Sequence, residues 1–187
     1  MSLTKYLVSD ILQIISDLRG ESSTNTNADR IRAISRAEQD IARRMFFRIH
    51  LIKNQSIGTG DGTTVDYTIG STTYPMRNKG LTEIFIGDTI EANRLEVVDF
   101  AQYKELYNAN GNAAIAYEYY DQANDLWKVK VNPVPASGDA ITGSWYYIPP
   151  VRTAASDSVV ASDPYIVAYL ALADIYHGED ELQSEQL

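Results

Sequence analysis

The sequence predicts an α+β fold, in which helices from the two ends of the chain form a bundle and an antiparallel β-sheet domain is inserted between them. Two observations lead to this class. Near both chain ends, apolar residues recur every three or four positions, as on one face of a helix. From about residue 51 to residue 148 they alternate with polar residues instead, which is the period of half-buried strands.

The first helix is predicted from about Leu3 to Leu18, and Gly20 is expected to end it. The residues between Gly20 and the second helix are polar and are typical of a loop. The apolar side chains of the helix fall on a single stripe, which contains Leu3, Leu7, Ile11, Ile14, Ile15 and Leu18.

The second helix is predicted from about Ala28 to Phe47, with Asn27 as its N-cap residue. Two antiparallel helices joined by a short loop can bury their apolar stripes against each other. At about 100° per residue, this helix has an apolar face of Ile31, Ile34, Ile41 and Met45 and an opposite face of Arg32, Arg36 and Arg43.

The middle of the chain is predicted to form an antiparallel sheet, because strands without long helices between them pair through short turns. A short helix near residues 100–107 interrupts it, capped by Asp99 with Gln102 reaching back. Between two of the strands, Asp61 and Gly62 predict a hairpin tip with a positive-φ turn. Six or seven strands are expected, near residues 51–57, 64–69, 82–87, 89–97, 113–120, 126–132 and 140–148.

The last helix is predicted to open at Asp163–Pro164, to run to about Tyr176 and to end at Gly178. Its first ten residues carry no charge. A helix that is apolar all round must be covered all round. Either it is wedged among the other helices and the sheet, or a neighbouring subunit buries part of it.

These elements predict three regions of the chain. Residues 1–50 and 151–178 are expected to form the helical bundle, and residues 51–150 the β domain. Residues 179–187 are expected to form an acidic flexible tail, because their apolar content is too low to pack alone.

The composition disfavours several classes of function. The absence of cysteine excludes disulfides and thiolate metal sites, and we expect neither a signal peptide nor a membrane span. The net charge of -9 disfavours general nucleic-acid binding. The 13 tyrosines, against 4 phenylalanines, suit either surfaces that become interfaces or ordinary half-buried strands.

No catalytic, cofactor-binding or metal-binding residues are predicted. Asp174 and His177 lie three apart on a helix and could hold a metal weakly, but a histidine beside acids is more often solvated. Glu118 and Asp121 could be imagined as the acid pair of a glycan hydrolase, but their spacing alone has almost no force. We therefore expect a protein that is not an enzyme.

Several motifs follow one another in an order that covers most of the chain. They are Ser9-Asp10-Ile11-Leu12, Ala37-Glu38-Gln39-Asp40-Ile41-Ala42-Arg43-Arg44 with Phe46 and Phe47, Val131-Asn132-Pro133-Val134-Pro135, Trp145-Tyr146-Tyr147-Ile148-Pro149-Pro150, and Asp163-Pro164-Tyr165 before the apolar helix. In this order the chain resembles the head-to-tail adaptor proteins of short-tailed phages, also called gatekeeper or tail-tube-A-like proteins.

The resemblance implies a structural protein of the virion that is assembled in the host cytoplasm. It implies a ring of twelve copies between the portal protein and the tail nozzle protein, with the helical part toward the portal and the β part toward the nozzle. DNA would pass through the centre without sequence-specific binding. No cofactor and no membrane are implied.

The candidate contact surfaces are the arginine face of the second helix, the last helix and the acidic tail. The arginines could dock an acidic partner or a neighbouring copy's tail, or could simply be solvated. A second hypothesis is a carbohydrate-binding β module of a virion, with an exposed Trp127 or Trp145 as its platform. The candidate residues for contacts with the portal or with other subunits are Arg32, Arg36, Arg43, Tyr165, Tyr169, Tyr176, Glu179 and Asp180.

Overall fold

The computed structural model divides the chain into two compact units. Residues Met1–His50 and Pro149–Leu187 belong to the first, called here the helical unit, and Leu51–Ile148 form the second, called the β unit. The structure describes residues 5–24, 26–44, 50–70, 75–109, 111–161 and 163–184, the last six of these by their backbone alone.

The described residues contain four α-helices and nine strands, which confirms the α+β class. In chain order they are β1 (Lys5–Leu7), α1 (Val8–Leu18), α2 (Ala28–Arg44), β2 (Leu51–Thr59), β3 (Asp66–Ile69), β4 (Met76–Ile86), β5 (Arg94–Val97), α3 (Phe100–Ala109), β6 (Ile115–Asp121), β7 (Leu126–Asn132), β8 (Ala140–Tyr147), β9 (Ser158–Val160) and α4 (Pro164–Ser184).

The core of the helical unit takes side chains from three helices, because α1, α2 and α4 each present an apolar stripe to the same interior. Asn27 caps α2 as predicted, since its side-chain oxygen accepts the N–H of Arg30 at 2.8 Å. The buried cluster contains Val8, Ile11, Leu12, Ile15, Ile31, Ala33, Ile34, Ala37, Val159, Ala161, Val167, Ala168 and Ala171.

The start of the first helix differs from the prediction. Residues Lys5–Leu7 form β1, which pairs antiparallel with β9, so α1 begins at Val8 rather than near Leu3. The Asp10 carboxylate then accepts the Leu7 N–H at 2.9 Å and closes the N-terminal end of the helix. For the second helix, the predicted end at Phe47 lies outside the described residues.

A buried carboxylate fastens the segment before β9 to α2. Glu38 is 1% exposed, and its two oxygens accept Arg152 Nε at 2.8 Å and Nη2 at 2.9 Å. The same carboxylate accepts the N–H of Val160 at 2.9 Å, and the N–H of Arg152 donates to Ser35 Oγ at 3.0 Å. A fully hydrogen-bonded ion pair of this kind holds its two chain segments together, because losing one partner leaves a buried charge unpaired.

The loop after α1 is held by a second ion pair. The Arg30 side chain is 7% exposed, and its Nη2 atom lies beside Glu21 Oε1, while Nη1 donates to Glu21 Oε2 at 2.7 Å. These hydrogen bonds to the Arg30 guanidinium lower the pKa of Glu21 from its ordinary 4.5 to about 2.

Acid should weaken this link. A carboxyl group whose pKa is lowered on folding stabilises the fold fully above about pH 4.5, and this contribution is lost as the pH falls toward 2. We therefore expect the free energy of unfolding of Glu21→Gln to fall less between pH 4.5 and pH 2 than that of the wild type. Urea denaturation at a series of pH values measures this difference, and parallel profiles for the two proteins would contradict it.

The sheet of the β unit has seven strands in the order β2-β8-β4-β5-β6-β7-β3. The prediction of a purely antiparallel sheet is wrong at one pair, because β5 and β6 run parallel. The reason is α3, which connects these two strands and returns the chain to the same end of the sheet. The core beneath the sheet is formed by Tyr67, Ile69, Met76, Leu81, Ile84, Leu95, Ala116, Val129, Val131, Ile141, Trp145 and Tyr147.

One local prediction in the β unit is confirmed, and a second is confirmed only in part. The N–H of Gln102 donates to Asp99 Oδ1 at 2.9 Å, and the N–H of Asp99 donates to Gln102 Oε1 at 3.4 Å, which is the capping box expected before α3. Gly62 has the predicted positive φ, 81°, but the predicted hairpin is wrong, because β2 pairs with β8 and β3 pairs with β7 rather than with each other. Asp61 accepts the Thr64 hydroxyl and the N–H groups of Thr64 and Thr63, and these hydrogen bonds hold the pKa of its carboxyl well below its usual range.

The strand predicted over residues 89–97 is shorter than expected. A single 3₁₀ turn occupies Glu91–Asn93, and β5 begins only at Arg94. The preceding strand is longer than predicted, since β4 begins at Met76 rather than near residue 82.

Candidate interaction surface

The last helix is covered on one side only. Val167, Ala168 and Ala171 are fully buried in the core of the helical unit. The described part of the helical unit leaves the opposite side uncovered. We define the apolar face of α4 as five side chains that are each 44% to 56% exposed, namely Tyr165, Ile166, Tyr169, Leu170 and Tyr176.

The spacing of these residues explains why they form one surface. Tyr169 lies four residues after Tyr165 and seven before Tyr176, Leu170 lies four after Ile166, and residues three, four or seven apart lie on the same side of a helix. Contiguous exposed apolar surface of this kind is typical of sites that bind another molecule. The predicted tyrosines Tyr165, Tyr169 and Tyr176 all belong to it.

The predicted arginines lie on the exposed side of α2 but make contacts within the chain. Arg36 Nη2 is 2.8 Å from Asp174 Oδ2 of α4, and Arg32 Nη1 is 3.1 Å from Asp29 Oδ1 one turn earlier. Arg43 is exposed near the end of the helix. The arginine face is therefore partly neutralised, and the Arg36 pair links α2 to α4.

One end of the apolar face is also anchored by a cation. The Arg19 guanidinium lies 5.1 Å from the centre of the Tyr176 ring, a cation–π contact between α4 and the residue that follows α1. This contact keeps the tyrosine in place while leaving 47% of it exposed.

The prediction that Gly178 ends the last helix is wrong. The backbone of α4 continues to Ser184, so the segment predicted as a tail from residue 179 is helical over its first six residues. A glycine that ends a helix commonly adopts a positive φ, and Gly178 is not among the positive-φ glycines of the described chain. The predicted contact residues Glu179 and Asp180 have side chains outside the described part.

The residues considered for catalysis have other partners. Asp174 contacts Arg36, and the described residues contain no group of three or more His, Cys, Asp or Glu that could hold a metal ion. Glu118 accepts the N–H of Leu81 at 2.9 Å, and burial raises the pKa of its carboxyl. Asp121 lies 2.6 Å from Lys128 Nζ, and this hydrogen bond lowers its pKa to about 2. The Glu118 carboxylate therefore anchors β4, and the Asp121 carboxylate anchors the turn between β6 and β7.

The indole platform proposed for carbohydrate binding is not formed by Trp145, which is 4% exposed within the core of the β unit. Trp127 is half-buried and packs at 5.3 Å against the ring of Tyr120. Among the described residues, no helix is both long and apolar enough to cross a membrane.

Comparison with known proteins gives one family. The family model described as SU10 adaptor protein matches residues 7–187, which is nearly the whole chain. No curated protein matches the sequence. The resemblance to phage adaptor proteins is thus supported at the level of the family, with a structural role as a virion component. The chain belongs to the SU10 adaptor protein family.

Proposed function

We propose that this adaptor is a subunit of the head–tail connector ring of a phage, placed between the portal protein and the tail nozzle protein. The observation that carries the proposal is the apolar face of α4, which the described part of the helical unit leaves exposed. A ring buries such a surface in every copy, because each subunit presents it to its neighbour. We propose twelve copies, assembled in the host cytoplasm and retained in the virion.

The contacts between copies would be heterologous, with two different patches of each subunit meeting across every interface. One patch would be the apolar face of α4 together with the acidic residues that follow Gly178. The other would include Arg32, Arg36 and Arg43 on α2. Opposite charges at the rim of an apolar contact steer the partners and set their register more than they add affinity.

The two units would have different partners. In this proposal the three helices of the helical unit form a bundle that docks on the portal, and the β unit faces the tail nozzle. DNA would pass through the centre of the ring. The net charge of -9 suits such a channel, because an acidic lining does not retain DNA by its phosphates.

The proposal is tested by mixing the purified chain with the portal protein of the same phage. We expect the portal to gain mass in analytical ultracentrifugation and a second, coaxial ring in negative-stain images, with a symmetry that gives the copy number. A portal assembly from an unrelated phage is the control and should gain no mass. If the cognate portal also gains none, the connector role is wrong.

A further inference from the structure

A groove lined by aromatic side chains lies on the β unit, between α3 and the strands β6 and β7. It encloses about 410 Å³, a volume within the range of ligand-binding pockets in proteins. We call it the tyrosine groove and define it by Phe100, Tyr103, Tyr107 and Tyr117, which line it together with apolar residues at Val65, Val131 and Val134.

The aromatic side chains of the groove hold one another in place. The Tyr117 ring lies 4.6 Å from the ring of Tyr103 and 5.4 Å from that of Phe100, both in tilted arrangements. The rings of Tyr103 and Tyr107 are stacked one helical turn apart, at 6.1 Å. Aromatic pairs at these distances are favourable beyond the area they bury. The groove is therefore formed before anything enters it.

Only part of this aromatic surface is buried within the described chain. Tyr103 is buried, but Phe100 is 63% exposed and Tyr107 is 50% exposed. Burial raises the pKa of Tyr103 and of Tyr117 above the ordinary value of 10, so both phenols stay neutral and can donate hydrogen bonds at neutral pH. Exposed, rigid aromatic groups in a concavity are typical of the anchor sites of protein interfaces.

The charge of the groove is opposite to that of the chain. Two lysines, Lys104 and Lys130, line it. One carboxylate offsets them, since Asp66 Oδ2 is 4.0 Å from Lys130 Nζ and Asp66 Oδ1 accepts the Tyr119 hydroxyl at 3.0 Å. Two cations against one anion leave the groove positive in a chain whose net charge is -9. The groove therefore favours an acidic occupant.

Some of the polar groups at the groove already have partners within the chain. The Asn132 amide already donates to the carbonyls of Gly111 and Ala113, at 3.0 and 2.6 Å, and the Tyr119 hydroxyl is held by Asp66. The remaining polar groups, which are tyrosine hydroxyls and two lysines, offer a sugar ring more donors than acceptors, and a sugar hydroxyl buried without a partner is costly. An apolar side chain avoids that cost.

We propose that the tyrosine groove binds an acidic, extended segment of a partner protein. In this complex an aromatic or aliphatic side chain of the segment packs against Phe100 and Tyr107, and a neighbouring carboxylate pairs with Lys104. The site lies in the β unit and does not depend on the ring contacts proposed for α4.

The test selects ligands from a random library of 12-residue peptides displayed on yeast, with the full chain as the labelled target. Selected peptides should be enriched in Asp or Glu next to Phe, Tyr, Trp or Leu. The strongest is then synthesised and its dissociation constant measured by calorimetry. We expect Tyr107→Ala and Lys104→Glu each to weaken binding about tenfold or more, and added salt to weaken wild-type binding.

Two control variants separate the groove from general effects of charge and of tyrosine loss. Lys53→Glu makes the same charge change on the exposed part of β2, and Tyr169→Ala removes an exposed tyrosine from the other unit. Both should bind the peptide as the wild type does. Enrichment of basic or neutral peptides, or equal binding by the groove variants, would overturn the proposal. So would a glycan-array signal that Tyr107→Ala abolishes, because the groove would then be a carbohydrate site.

Discussion

Replacing Glu38 with alanine is expected to lower the free energy of unfolding by about 3–5 kcal/mol. The substitution removes the partner of Arg152, whose side chain is 13% exposed, and leaves its charge without the carboxylate that offsets burial. It also leaves the N–H of Val160 without its acceptor, which adds a desolvation penalty. Chemical denaturation followed by circular dichroism measures the loss.

The helix that carries Glu38 also offers a matched control. Asp40 pairs with Arg44 at 3.1 Å on the surface, where the two side chains are half-exposed or more. Such a pair contributes about 0.5 kcal/mol or less, so Asp40→Ala should leave the stability almost unchanged. If Glu38→Ala cost no more than Asp40→Ala, the buried pair would not hold the helical unit together.

A double substitution separates the charge from the packing. In Glu38→Leu with Arg152→Leu, no buried charge is left unpaired, and hydrophobic replacements of buried ion pairs are often neutral. The double variant is therefore expected to be more stable than Glu38→Ala. If it were equally unstable, the loss would come from the cavity and the orphaned Val160 N–H rather than from the uncompensated cation.

Periodic elements could be predicted from the sequence because their cause is local. Ile11 in α1 and Ile34 in α2 each belong to a series of apolar residues that recur every three or four positions. This spacing indicates a helix whether or not its packing partners are known. Capping follows the same logic, and Asn27 and Asp99 lie where the sequence predicts them. Both features depend only on residues that lie within a few positions of one another in the sequence.

Features that depend on distant partners could not be predicted. Glu38 and Arg152 are 114 positions apart, and nothing near either residue indicates the other. The pairing of β1 with β9 turns Lys5–Leu7 into a strand although the apolar stripe continues through them. The parallel pair of β5 and β6 arises because α3 returns the chain to the same end of the sheet, and the predicted short helix near residues 100–107 did not by itself decide the direction of the next strand.

The two candidate surfaces also differ in how far the local sequence indicates them. The uncharged start of α4 indicates in the sequence that the helix needs cover on more than one side, and the exposed Tyr165 and Tyr169 lie in that stretch. The tyrosine groove needs Tyr117 of β6 beneath α3, which is a tertiary contact. The spacing of Phe100, Tyr103 and Tyr107 was nevertheless a usable signal, since it puts three rings on one helix face.

A charge on the apolar face of α4 should abolish assembly while leaving the subunit folded. Leu170 is 44% exposed in the single chain, so Leu170→Glu places its carboxylate in water and should change the unfolding temperature little. In the proposed ring the same carboxylate would be buried against a neighbour, and an unpaired buried charge costs several kcal/mol. We expect no ring on the portal in negative-stain images and no gain in sedimenting mass.

The matched control is Leu106→Glu, which introduces the same charge at a similarly exposed leucine of α3 in the β unit. It should assemble as the wild type does, because the proposed ring uses the helical unit. A closed ring repeats one interface in every copy, so a penalty that is modest for a single contact multiplies around the ring. Normal assembly by Leu170→Glu would therefore exclude the apolar face of α4 as the contact between subunits. Loss of assembly by both variants would mean that added acidic charge alone prevents docking, and the arginines of α2 would then carry more of the recognition than the apolar face.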